Sequence, residues 1–243
     1  MKTNGEAAKS TAPQPFAGSG DPLSDALVDL LVDVGIGHRL PSERELSDRL
    51  GISRTALRDR LRLLESFGVL DRRSGAGTYV QPMNPAQMAR ALDVGLGVSD
   101  MTTDSLQSVR KALELQAARE ATVHQDPVLI AYMRRALNTI ETTSDEQELQ
   151  QADRDFHAAL LRASCNPAIN FFAEALSGVL QRTFEARHRA LGTIEGHHEL
   201  LVRLHTQIYD AIVSRDPAAA MLATDQHFTE YDARFPATHD HAR

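Results

Sequence analysis

Residues 40–80 read LPSERELSDRLGISRTALRDRLRLLESFGVLDRRSGAGTYV, and the order of caps, leucines, arginines and glycines here decides the fold. Ser42 with Glu45 three residues later makes a capping box that opens a helix. Leu46 and Leu50 mark the buried side of that helix, and Gly51 stops it. Ser53 is the natural N-cap of a second helix. Along it Leu57, Leu61 and Leu64 recur on one side, Phe67 extends the stripe, and Gly68 closes the helix. Two helices about a tight Gly-containing turn have the dimensions of a helix-turn-helix. VLDRRSGAGTYV then reads as two short strands around a Gly-rich turn, a wing. Upstream, Leu23, Ala26, Leu27, Leu30, Leu31 and Val34 form a further helical stripe that ends at Gly35 and Gly37.

The side of the second helix opposite its leucines carries chemistry. Arg54 and Arg58 are four residues apart and share a face, with Ser53 and Thr55 beside them. In a helix-turn-helix the first turns of this helix enter the major groove. There a bidentate Arg–guanine pair gives about 1–3 kcal/mol of discrimination. Ser53 and Thr55 can bond phosphate or base edges, and Arg44 on the preceding helix would lie over the backbone or reach the groove edge. In the wing, Ser74, Gly75 and Gly77 allow close main-chain approach to phosphate or the minor groove. Residues 38–80 hold nine Arg and no Lys against six Asp and Glu, so a chain of net charge −7 contains one segment with a surplus of three positive charges. Charge alone would equally suit a solvated surface. The ordered combination of caps, leucine stripe, Arg face and wing points to double-stranded DNA.

The composition elsewhere favours helix: Trp is absent, aromatics are 5% and Ala and Leu are abundant. Residues 1–20 read as a flexible tail, 21–81 as the winged helix-turn-helix domain, and 82–103 as a linker with a short helix near 85–93. Residues 104–235 read as an all-α domain with helices near 104–124, 127–141, 145–164, 167–191, 196–214 and 217–233, and 236–243 as a tail. The expected fold is mainly α. No apolar run approaches the roughly 20 residues that span a bilayer. With no signal-peptide-like apolar core and a single cysteine, Cys165, the sequence suggests a reducing cytoplasm.

Histidine is the informative residue of the second domain. Asp153 and His157 stand four apart on one helix face, a spacing suited to a shared metal ion. His205 lies among Leu201, Leu204 and Ile208, and His227 lies in the last helix. Four ligands on three helices could converge inside a bundle, but a lone histidine on an apolar face is more often a hydrogen-bonded core residue than a ligand. Spacing leaves both readings open. His197 and His198 read as polar residues at a helix start.

Residues 37–80 closely resemble the N-terminal signature of GntR-family bacterial regulators, and the resemblance implies that Arg44, Arg54, Arg58 and Gly75 contact operator DNA. Ile36 departs from the family's frequent Pro before the Gly, a difference confined to a loop entry. Residues 104–233 resemble the FCD domain, the ligand-binding half of FadR-type members. The matching pieces are VRKALELQAARE, DRDFHAALLRASCNPAI, HTQIYDAIVSRDPAAA and the final QHF. In that family's metal-binding branch one Asp and three His hold a divalent cation, which carries those roles onto Asp153, His157, His205 and His227. Such donors suit zinc, with nickel, manganese or iron also compatible. A tetrahedral ion held wholly by protein would be structural, whereas an octahedral one would keep open positions for an effector carboxylate. Arg110 resembles the arginine that faces this cavity and would pair with an anionic effector, and Asn166 is a further candidate for its wall.

The expected function is that of a homodimeric, metabolite-responsive repressor whose operator binding is modulated by a small organic acid. A regulator for which the metal itself is the signal is the nearest alternative. A metal-dependent enzyme is disfavoured, because GxSxG, HExxH and P-loop motifs are absent and no separate general base or nucleophile is evident.

Overall fold

The computed structural model describes residues 21–99, 101–178, 180–181 and 196–234. The tails expected at 1–20 and 236–243 lie outside them. Two compact units divide between Asn84 and Pro85. The fold is mainly helical, a winged helix-turn-helix followed by an all-α bundle, as the sequence implies.

The first unit contains α1 (Pro22–Val34), α2 (Glu43–Leu50), α3 (Arg54–Ser66), β1 (Leu70–Arg73) and β2 (Gly77–Val80). Asp21 caps α1. The capping box of α2 is complete: Ser42 N–H donates to Glu45 Oε2 at 2.8 Å, and Glu45 N–H donates to Ser42 Oγ at 3.3 Å. Gly51 then turns the chain in the left-handed region, and Ser53 Oγ accepts from Ala56 N–H to start α3. Leu27, Leu30, Leu46, Leu57 and Leu61 close the core with Leu70 and Val80 of the hairpin. Phe67 does not extend the leucine stripe. It lies ten residues beyond Leu57, about 80° around the helix, serves as the C-cap and is 43% exposed.

The strands pair antiparallel from Leu70–Val80 to Arg73–Gly77. Residues 37–40 add to the edge of β2: Gly37 and Leu40 N–H donate to Val80 and Thr78 carbonyls, and Val80 N–H donates to His38 O. Gly77 sits at φ +111°, and a β-carbon there would stand 2.4 Å from Arg39 Nε, so the arginine takes the space that a side chain would fill.

The second unit contains α4 (Pro85–Gly97), α5 (Thr103–His124), α6 (Pro127–Thr142), α7 (Glu146–Ala163), α8 (Pro167–Ala175), α9 (His197–Val213) and α10 (Pro217–Arg234). The helix expected at 85–93 is thus longer and packs with this unit, against α8. Asp126 and Asn166 cap α6 and α8, each followed by Pro at the first helical position. The core joins α5, α6, α7, α9 and α10 through Ala118, Ala121, Met133, Leu137, Phe156, Leu160, Leu201, Leu204, Ile208 and Ala220. The single helix expected over 167–191 is interrupted at Leu176, where Ser177 Oγ donates to the Glu174 carbonyl at 2.7 Å and competes with the helical ladder. Its continuation past Gln181 lies outside the described residues. No helix among the described residues is long and apolar enough to cross a membrane.

Leu57 is fully buried, so Leu57→Ala will destabilise the first unit by about 2–5 kcal/mol. Ser42→Ala, which removes half of the capping box, will cost about 1 kcal/mol. Urea unfolding of both variants checks the order; a smaller loss for Leu57→Ala than for Ser42→Ala would contradict this account of the core.

Candidate functional site

In the second unit α7 carries Asp153 and His157 on its buried face, α9 brings His205 and α10 brings His227. All four side chains are buried, and one potential ligand atom from each lies within 4.8 Å of all the others. The three imidazole rings stand edge to face, with centroids 4.8–5.1 Å apart. Phe156 packs against His205 at 4.7 Å and walls one side of the cluster.

Hydrogen bonding fixes how two of these rings present themselves. His205 Nδ1 lies 2.8 Å from the Leu201 carbonyl, which can only accept, so Nδ1 carries the proton. His157 Nδ1 lies 2.7 Å from Glu114 Oε2. Burial acts to raise the Glu114 pKa, but the Arg110 guanidinium and His157 outweigh it and hold the carboxyl below its ordinary value. Glu114 is therefore an ionised acceptor, and His157 also donates through Nδ1. Both rings turn Nε2 inward, 3.3 Å apart, and Asp153 Oδ1 approaches them at 2.6 and 3.4 Å. Inward-facing electron pairs at these distances repel unless a proton or a cation lies between them. Adjacent nitrogen ligands with bonds of about 2.1 Å stand roughly 3.0–3.4 Å apart on a first-row cation, a spacing the two Nε2 atoms match. The donor set fits a divalent metal.

The pKa values of His157 and His227 are shifted in opposite directions. Burial opposes a charged His157, yet Glu114 prevails and raises its pKa, whereas burial and the neighbouring His157 and His205 push His227 well down. The lowered pKa favours the neutral form of His227 that a ligand must take, while the raised one makes a metal compete harder with the proton at His157.

Glu114 escaped sequence reasoning. It is fully buried on α5, with Arg110 Nε donating to its Oε1 at 2.6 Å, and it links the arginine to the cluster. The available signal was a pair of opposite charges four apart on the same stripe as Leu106, Ala117, Ala118 and Ala121. A carboxylate behind a ligating histidine orients the ring and raises its basicity. Arg110 is also buried, 5.5 Å over the Phe228 ring. A cavity of about 470 Å³ opens beside the cluster, lined by Arg110, Glu114, Arg154, His157, Asn170 and Ser177 among others. Asn166 is placed differently: its side chain accepts from Ala168 and Ile169 N–H and donates to Glu120. Asn170, one turn on, is the asparagine of the cavity wall.

In the first unit Arg54, Thr55 and Arg58 are exposed on the first turns of α3, with Ser53 at its cap, and Arg44 is exposed on α2. Ser74 and Gly75 form the exposed wing tip, while Gly77 lies under Arg39.

Residues 23–80 match the family described as bacterial regulatory proteins, gntR family, and residues 105–230 match the FCD domain. The chain belongs to the GntR family of bacterial regulators and carries an FCD C-terminal domain; it is a DNA-binding transcriptional regulator, not an enzyme. It is 27% identical over 213 residues to the Glc operon transcriptional activator of Escherichia coli K12, covering 84% of each chain. It is 28% identical over 198 residues to the HTH-type transcriptional regulator LutR of Bacillus subtilis, covering 81% of this chain and 90% of that one. Among solved structures, Streptococcus agalactiae GntR shares the fold with a TM-score of 0.58 at 22% identity, over 88% of this chain and 98% of that one.

Purified without chelator, the protein will carry about one divalent metal per chain by elemental analysis, and Asp153→Ala/His205→Ala will carry none. Metal affinity will fall as pH drops through the histidine range, and the fall will begin above the ordinary imidazole pKa because His157 keeps its proton longer. Glu114→Gln, which removes the charge behind His157, will weaken metal binding by about 10–100-fold; an unchanged affinity in the folded variant would rule out this role.

Proposed function

We propose that this protein is a homodimeric, metabolite-responsive repressor in which a small organic acid binds beside a metal centre and alters operator affinity. The observation that carries this reading is the buried cluster of Asp153, His157, His205 and His227 donors, one of which, His157, also lines a cavity bordered by Arg110, Arg154 and Arg162. Zinc is the metal of choice for three imidazoles and a carboxylate, with nickel, manganese and iron compatible. The bound cation would supply positive charge and, if six-coordinate, open positions for a carboxylate ligand. Arg110 pairs with Glu114 yet borders the cavity, so an anionic effector would meet its guanidinium and weaken its hold on Glu114. An effector regulates only to the extent that it binds the operator-competent and operator-incompetent states unequally.

On the DNA side, Arg54 and Arg58 read base edges, Ser53, Thr55 and Arg44 contact base edges or phosphate, and Ser74, Gly75 and Gly77 bring the wing backbone close. Two copies related by a two-fold axis would read the half-sites of a pseudopalindrome. Repression follows where the bound dimer blocks the promoter, and one relative bears the name of an activator.

The test uses metal-loaded full-length protein and a duplex that it selects from a random-sequence pool. Arg54→Ala or Arg58→Ala will each weaken binding by roughly 5–150-fold, the equivalent of 1–3 kcal/mol. A panel of organic acids will include one that shifts the affinity of the wild type but not of Asp153→Ala/His205→Ala. Response to metal concentration alone, with every acid silent, would instead identify the metal as the signal.

A further inference from the structure

A carboxylate from α2 lies against the arginine face of α3, and the DNA-reading motif does not require it. Glu43, the first residue of α2, places Oε2 2.6 Å from Arg58 Nε and Oε1 3.6 Å from Arg72 Nη2 on β1. Arg72 Nε is held in turn by Glu65 at 2.7 Å. Helix α2, the recognition helix and the wing strand are thereby joined through one glutamate.

Arg58 and Glu43 are 55% and 27% exposed in their side chains, and a pair so open to water adds little to stability. Its effect lies in where the guanidinium is held. Glu43 takes Nε and leaves both Nη groups for the end-on fork that matches guanine O6 and N7. An arginine on such a face would otherwise turn to the nearest phosphate, where affinity is gained without sequence information. A carboxylate beside it repels phosphate oxygens and opposes that use.

We propose that Glu43 is a specificity-determining positioning residue, which holds Arg58 for base readout and suppresses its capture by the DNA backbone. The inference rests on the assignment of Arg58 to the recognition face.

The experiment measures the affinity of full-length protein for a duplex selected by the wild type from a random pool and for a scrambled duplex of the same length, across a salt series. Glu43→Gln keeps the shape of the side chain and removes its charge. Binding to the scrambled duplex will tighten and its salt slope will steepen by about one, as for one added phosphate contact. The selected-to-scrambled ratio will fall by tenfold or more. In an Arg58→Ala background Glu43→Gln will leave that ratio unchanged. Glu65→Gln, which removes a carboxylate from the same network without touching Arg58, will leave the ratio at the wild-type value. The proposal is overturned if Glu43→Gln preserves the ratio, if Glu65→Gln lowers it equally, or if Glu43→Gln still lowers it without Arg58. A collapse of the ratio in Arg58→Ala alone, with Glu43→Gln normal, rejects the glutamate's role and keeps the recognition face. An unchanged ratio in Arg58→Ala rejects both.

Discussion

Four side chains able to ligate a metal stand together in the interior of a helical bundle whose core is mainly leucine, isoleucine, alanine, methionine and phenylalanine, and burial of this kind is unfavourable until charges and lone pairs are matched. Much of the second unit follows from that matching. Helix α5 must run close enough to α7 for Glu114 to meet His157, and Arg110 must be buried one turn earlier to offset the glutamate. The Leu201 carbonyl must remain available to His205 within α9. Phe156 and Phe228 fill space beside the rings and exclude water. Replacing any one of these polar groups by an apolar one leaves a partner buried without its counterpart, so the set stands or falls together.

The two units obey different logics. In the second, the decisive contacts join residues far apart in sequence: 43 residues separate Glu114 from His157 and 48 separate His157 from His205. In the first, caps and turns act over a few residues, and the leucine core simply locks together helices that the local sequence already defines. An acidic chain with a locally basic segment needs this division, because a surface attractive to DNA and an interior attractive to a cation demand opposite charge.

The same difference governs what could be read before any coordinates. Ser42, Glu45, Gly51 and Ser53 announce α2 and α3 because each acts within three residues of the end it controls. Asp153 and His157 were legible as a pair because one helical turn brings them together. The meeting of His205 and His227 with that pair depends on bundle packing, which spacing could suggest and the resemblance to FCD domains made specific. Glu114 went unnoticed because its meaning comes from His157 on another helix. Phe67 was misread because a stripe extrapolated by one more apolar residue drifts off the face, and the break at Leu176 because the backbone bond of Ser177 resembles an ordinary helical position in sequence. Asn166 looked like a wall residue by proximity to the motif, but its position before Pro167 makes it a cap.

The contact of Arg39 with Gly77 bears on the mechanics of the DNA-reading unit. With the arginine filling the glycine's empty side and residues 37–40 hydrogen-bonded to β2, the wing has little freedom to bend independently of the segment leading into α2. These contacts restrain the base of the wing, and with it the spacing between wing and α3. If the wing and α3 engage DNA as proposed, a groove of a different width would have to adapt to this spacing more than the protein would. Base pairs that no side chain touches then contribute to selection through their stiffness.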